Sequence, residues 1–174
     1  MSQSTVINKN LTISDSSVTL DSLLTVQVPS ITASCSNASQ SLTISSNYGE
    51  AQVPLTFSNG SNYSDYFSVS NNKITVTSNK IKKVLITSSL MVYRGSSGYI
   101  STYLRQNGNT IAYGRCGFAD WTPEGMTTAP RIIDVQSGDY FTLFLGGSAS
   151  GTYQLSYAKQ TCLITIMAID YDLD

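Results

Sequence analysis

From residue 41 onward, apolar and polar side chains alternate in short runs, the pattern of strands with one buried face, because successive strand side chains point to opposite sides. The run KITVTS at 73–78 puts Ile74 and Val76 on one face and Lys73, Thr75 and Thr77 on the other. SLTIS at 41–45, VPLTFS at 53–58 and DYFSVS at 65–70 read as further short strands, and Lys83 to Tyr93 as a longer one with Ser88 and Ser89 in its middle. Tyr99 to Arg105 is followed by Asn107-Gly108, a pair that accepts the positive φ angles of a two-residue hairpin turn, and Thr110 to Tyr113 returns. Ala129–Val135, Asp139–Leu145, Thr152–Ala158 and Thr161–Ile169 complete the set, with Gly138, Gly146, Gly147 and Gly151 marking turns. These elements predict an all-β, antiparallel β-sandwich of jelly-roll type with almost no helix.

Two stretches depart from the pattern. Residues 1–45 are polar and weakly patterned, with apolar content mainly in Leu20 to Val28, and are expected to form an extended N-terminal arm beside a head of residues 46–174. An attachment segment and a simple edge-strand extension of the head are equally open readings of that arm. Gly114 to Thr127 is expected to be a long loop on the rigid head, where binding residues concentrate. It carries the only Trp, Trp121, together with Arg115, Asp120 and Glu124. Trp121 as a lid on the sandwich end is weighed against Trp121 as a stacking platform for a sugar ring or a protein contact. With Tyr99, these four are the candidate ligand-binding residues.

Charged residues make up 12% of the chain where about 25% is usual, so Ser, Thr, Asn, Gln and Tyr must cover the surface. A net charge of −1 argues against nucleic acid as partner, since phosphate binding needs a clustered excess of Lys and Arg. The short cluster Lys80, Lys82 and Lys83 reads as a solvated strand entrance. No run approaches the roughly 18 apolar residues of a membrane span, so no membrane insertion is expected, and MSQSTVINKN has no signal-peptide pattern.

Histidine is absent, which excludes Ser-His-Asp and Cys-His hydrolysis and His-ligated zinc. Asp120 and Glu124 are the one acid pair beside a large aromatic, and paired carboxylates can cleave glycosidic bonds. Solvated loop acids are the simpler reading, so the protein is expected to be no enzyme and to need no cofactor or metal. Cys35, Cys116 and Cys162 are too few and too widely spaced for a disulfide framework or a metal site, and Cys162 reads as a small buried hydrophobe. Sequons begin at Asn10, Asn37, Asn59 and Asn62, as a Ser/Thr/Asn-rich chain produces by chance.

The order FSNGSNYSDYFSVSNNKITVTSNK, YISTYLRQNGNTI, PRIIDVQSGDYFTLFLGG and TCLITIMAID resembles the globular head of complement-type and tumour-necrosis-factor-like proteins. The matching positions are Phe57, Asn59 and Gly60, near an Asn-Gly turn that opens the head; Asn107 and Gly108; Gly138, Asp139, Tyr140 and Phe141; and the closing apolar strand Leu163 to Ile169. The likeness spans roughly residues 50–172. It implies a ten-stranded jelly roll and a homotrimer packed through aromatic and aliphatic strand faces, for which Tyr140, Phe144, Tyr153 and Tyr157 are the candidates. It also implies ligand binding by apical loops and intersubunit grooves.

A low-charge, Ser/Thr/Asn-rich version without signal peptide or collagen stalk fits a bacteriophage virion head best. The first expectation is a trimeric receptor-binding or fibre head recognising host cell-wall saccharide. The alternative is a structural capsid decoration, head-fibre or tail-assembly protein held to a virion protein by its N-terminal arm. Either would be made in the host cytoplasm and reside in the virion.

Overall fold

A computed structural model describes residues 28–35, 40–61, 63–93, 98–118, 124–155 and 162–172. Among them there is no helix, and fourteen strands form two antiparallel sheets. The first sheet runs in the order β2 (Ser41–Ile44), β13 (Gly151–Leu155), β7 (Ile81–Tyr93), β14 (Leu163–Tyr171), β1 (Ser30–Ser34) and β4 (Thr56–Ser61). β10 (Glu124–Thr127) and β11 (Arg131–Asp134) also pair with β7, whose thirteen residues serve several neighbours in turn. The second sheet runs β5 (Phe67–Ser70), β6 (Lys73–Val76), β12 (Tyr140–Gly147), β8 (Gly98–Gln106) and β9 (Asn109–Phe118), with β3 (Glu50–Gln52) also on β12. This is the jelly-roll sandwich that the alternating pattern predicts.

The core lies between the sheets. On β7 the inward positions Val84, Ile86, Ser88, Leu90 and Val92 are all buried while the residues between them are half-buried, a direct record of strand period two. Ile74, Leu104, Phe141, Leu143 and Leu145 face them from the second sheet, and each such side chain contributes about 1.5–3 kcal/mol by leaving water. Ser88 is tolerated in this column because its hydroxyl lies 3.0 Å from Thr128 Oγ1, which also accepts from Ser88 N–H at 3.1 Å.

The predicted hairpin at Asn107-Gly108 is present, with φ of 51° and 83°. A second tight turn, Asn71-Asn72 between β5 and β6, has φ of 50° and 60° and rests on the tolerance of Asn for left-handed backbone.

The described strands of the expected arm, Ser30–Ser34 and Ser41–Ile44, pair into the first sheet, as its reading as an extension of the head allows. β1 pairs β14 on one side and β4 on the other, β2 pairs β13, and Ile31, Ala33, Cys35 and Ile44 are buried in the common core. Local composition hid this, because a five-residue strand between two neighbours needs only two or three inward apolar side chains. Residues 1–27 lie outside the described residues.

The expected loop 114–127 is also mostly strand: β9 runs to Phe118 opposite β8, and β10 begins at Glu124 opposite Val92. Gly114, the first residue of that stretch, is required by close packing, since a Cβ there would lie 2.7 Å from Thr127 O on β10. Finally, Asn59-Gly60 is no turn. Both lie within β4, where Gly60 lets Tyr63 stack on Phe57 with ring centroids 4.2 Å apart.

Candidate functional site

At one end of the sandwich, the start of β8, the end of β9, the turn before β3 and the loop after β12 meet. Tyr99 N–H donates to Ser148 Oγ at 3.1 Å, and Ser148 N–H donates back to Tyr99 O at 3.0 Å, so the β12–β13 connection is fastened to β8. Gly147 N–H donates to Gly49 O at 3.2 Å and Ser150 N–H to Asn47 Oδ1 at 2.9 Å, fastening the same connection to the 46–49 turn. These bonds hold Tyr48 at the tip.

Tyr48 is 73% exposed and has a φ of 59°. A bulky aromatic in the left-handed region costs about 1–3 kcal/mol and persists only where its surroundings impose it. Its ring lies 6.2 Å from that of Tyr99, tilted by 45°. Directly across from Tyr99 on β9 stands Gly117, which has no side chain, so the diagonal neighbour Arg115 reaches over and sets its guanidinium 3.5 Å above the Tyr99 ring. The result is a ledge of two tilted phenol rings and one flat cation, with Arg115 exposed and Tyr99 half-buried.

Hydrogen bonding to Tyr99, then the nearby Tyr99 charge and slight desolvation, push the Tyr48 hydroxyl above its ordinary value, while the Arg115 charge pulls it down. The Tyr48 ring thus remains a phenol at neutral pH, able to donate and accept, and the guanidinium donates to fixed directions. Flat apolar faces with donors at their rims suit the faces and hydroxyls of a sugar.

Tyr99 and Arg115, both expected from sequence, are therefore brought together. Glu124 begins β10 at this end, opposite Val92 at the close of β7. Asp120 and Trp121 lie outside the described residues. Tyr48 was missed. Its only signal is an aromatic between Asn47 and Gly49, inside a turn where small and polar residues are usual.

Of the four residues expected at a trimer interface, the three described ones differ in their surroundings. Tyr153 faces the core, with 0% exposure, and its hydroxyl donates to Ala149 O at 2.6 Å, so it has no surface to offer another subunit. Its strand alternates as expected, but the aromatic falls on the inward face. Tyr140 and Phe144 are half-buried beneath cations: Lys73 Nζ is 4.3 Å from the Tyr140 centroid and Arg105 Cζ 4.3 Å from that of Phe144. Arg105 is in turn paired with Glu50. Tyr157 lies outside the described residues.

No protein-family model matches the sequence, and no curated protein matches it. Among solved structures, murine APRIL at pH 5.0 is similar with a TM-score of 0.63 and 9% identity, over 82% of this chain and 100% of that one. Eiger TNF from S. frugiperda is similar with a TM-score of 0.59 and 10% identity, over 84% of this chain and 96% of that one. The likeness is one of fold, and it makes the sandwich a tumour-necrosis-factor-like jelly roll.

Proposed function

We propose that the chain is a non-enzymatic binding head that acts as a homotrimer on a virion surface and takes host cell-surface saccharide on the Tyr48–Tyr99–Arg115 ledge. The observation that carries the binding site is the conformation of Tyr48, a mostly exposed ring held at a φ of 59° beside the stacked Tyr99–Arg115 pair. A strained, solvent-facing aromatic contributes little to the core, so its rigid presentation is understandable as service to a ligand. The low share of charged residues, 12%, supports a neutral polar exterior of the kind that virion-surface β proteins present.

Support for the homotrimer comes from the outward face of the first sheet. The register sets Ile132, Leu85, Met167 and Ser30 side by side in one row across β11, β7, β14 and β1. Ile132 is 65% exposed, and Leu85 and Met167 are only half-covered within one chain. Closing this face around a threefold axis would remove an apolar row from water without leaving an open sticky surface. It is a better apolar contact than the outward face of the second sheet, where Lys73 and Arg105 cover Tyr140 and Phe144.

Calorimetric titration with purified bacterial cell-wall polysaccharide tests the site. Tyr48→Ala and Arg115→Ala are expected to weaken binding about tenfold each, the scale of one lost ring contact. Tyr113→Ala, removing another exposed ring on β9, is expected to leave binding unchanged. Equal affinity of Tyr48→Ala and the unaltered chain, or absence of binding by an intact trimer, would remove saccharide recognition at this ledge. The structural capsid or tail role, with residues 1–27 as the attachment segment, would then be the better reading.

A further inference from the structure

The register of β1 on β14 pairs Ile31 with Ile166, Ala33 with Ile164 and Ser34 with Leu163, so the next pair is Cys35 with Cys162. Cys35 N–H donates to Cys162 O at 2.9 Å, which carries the ladder one step beyond the strands. The alternation puts Ile31, Ala33 and Cys35 on the inward face of β1, and Ile166, Ile164 and Cys162 on the inward face of β14. Cys35 is 3% and Cys162 1% exposed. The two sulfurs therefore leave neighbouring strands on the same side. Directly opposed residues of an antiparallel pair have Cα atoms about 4.5–5.5 Å apart, inside the roughly 4.4–6.8 Å that a disulfide spans. Cys116 lies in the other sheet, opposite Ile100.

We propose that Cys35 and Cys162 are a cross-strand disulfide site that staples the first described strand to the last when the protein meets a disulfide oxidant such as oxidised glutathione. In the structure the Cys35 thiol donates to Gln40 Oε1 at 3.3 Å and the Cys162 thiol to Met91 O at 3.2 Å, so each must turn about its Cα–Cβ bond to face the other. One cysteine thiolate attacks a sulfur of glutathione disulfide, forming a mixed disulfide and releasing one glutathione thiolate. The second cysteine thiolate then attacks the protein sulfur of that mixed disulfide and expels the second glutathione. Two protein thiols lose two protons and two electrons, and one glutathione disulfide becomes two glutathione thiols. Burial shields both sulfurs in the closed sheet, so exchange takes place during folding or on fraying of the strand ends, where both residues sit.

Such a bond would enclose nearly the whole head in one covalent loop and so restrict the unfolded chain strongly. Under a pull applied through the preceding residues, it would stop the opening of the sheet at Cys35, just past the far end of β1. This is a property of the scaffold, independent of what the ledge binds.

The test uses the full chain with Cys116→Ser, refolded in reduced and oxidised glutathione and also in reductant alone. The expected oxidised product is lighter by two hydrogen atoms, yields a peptide joining Cys35 to Cys162, and melts about 5–10 °C higher than the reduced form. Cys35→Ser and Cys162→Ser, each added singly, should abolish the mass change and the melting shift while the reduced proteins melt alike. A product carrying only glutathione adducts, a chain that stays fully reduced after refolding in oxidant, or a linked form that melts no higher than the reduced one would each overturn the proposal. Polysaccharide binding by the reduced chain reports on the ledge separately.

Discussion

The side-chain amide of Asn107 donates to Asp139 Oδ1 at 2.7 Å, tying the β8–β9 turn to the turn that precedes β12. Asn107 Oδ1 in return accepts from Tyr140 N–H at 3.0 Å, and Asp139 Oδ2 accepts from Gln106 Nε2 at 3.1 Å and Gln136 N–H at 3.0 Å. Asp139 is 8% exposed, and these donors compensate the carboxylate for lost water. Asn107→Ala removes both bonds and places Ala at a φ of 51°. Its expected cost is about 2–4 kcal/mol in urea unfolding. Asn107→Gly should restore only the backbone part, about 1 kcal/mol.

Thr102 points into the core at 0% exposure, and its hydroxyl has no hydrogen-bond partner among the described residues. Val has nearly the same shape without the polar atom, so Thr102→Val is expected to stabilise the head by about 1–2 kcal/mol. Thermal and urea denaturation of the variant give the sign directly.

Gly147 and Tyr153 share one space at the ledge end of the core. A Cβ on Gly147 would overlap the Tyr153 hydroxyl, which is held by Ala149 O. Gly147→Ala should cost about 1–3 kcal/mol through overpacking, and Tyr153→Phe about 1 kcal/mol for the lost hydrogen bond. In the double variant the combined loss should fall somewhat below the sum, because the nearest colliding atom is gone while the ring Cζ, 2.6 Å from the added Cβ, still clashes. Strict additivity in denaturant titrations would mean the clash is relieved elsewhere.

Ile132→Asp places a charge in the apolar row with Leu85 and Met167 at a position already 65% exposed in one chain. Stability of the single chain should change by less than about 0.5 kcal/mol. Light scattering should show the unaltered protein at three times the chain mass and the variant at one. An unaltered protein that is monomeric at micromolar concentration rejects the trimer.

The Tyr48 hydroxyl, raised from 10.0 chiefly by its hydrogen bond with Tyr99, favours the neutral phenol in the folded ledge. A raised value means that the contact contributes fully below the ordinary tyrosine range and is lost as pH climbs through the folded value. Phenolate absorbance of the unaltered chain minus that of Tyr48→Phe should therefore show a midpoint above 10.0.

The alternation of apolar residues made the all-β sandwich legible, because strand period depends on local backbone geometry alone. The Asn107-Gly108 hairpin was legible for the same reason: two adjacent residues suffice for that turn. Tyr99 and Arg115 could be singled out by type, yet their stacking depends on Gly117 leaving a gap on the facing strand, which is a matter of register. Register likewise determined that Tyr153 faces inward, that Ser30–Ser34 and Ser41–Ile44 belong to the sheet, and that Cys35 meets Cys162 across a long separation in sequence. Tyr48 became visible as a site only through its neighbours, since the bonds that hold it upright come from residues near 99 and 147–150. Local pattern thus specified strands and turns, whereas contacts between distant strands decided which side chains share a face, and only the folded chain contains them.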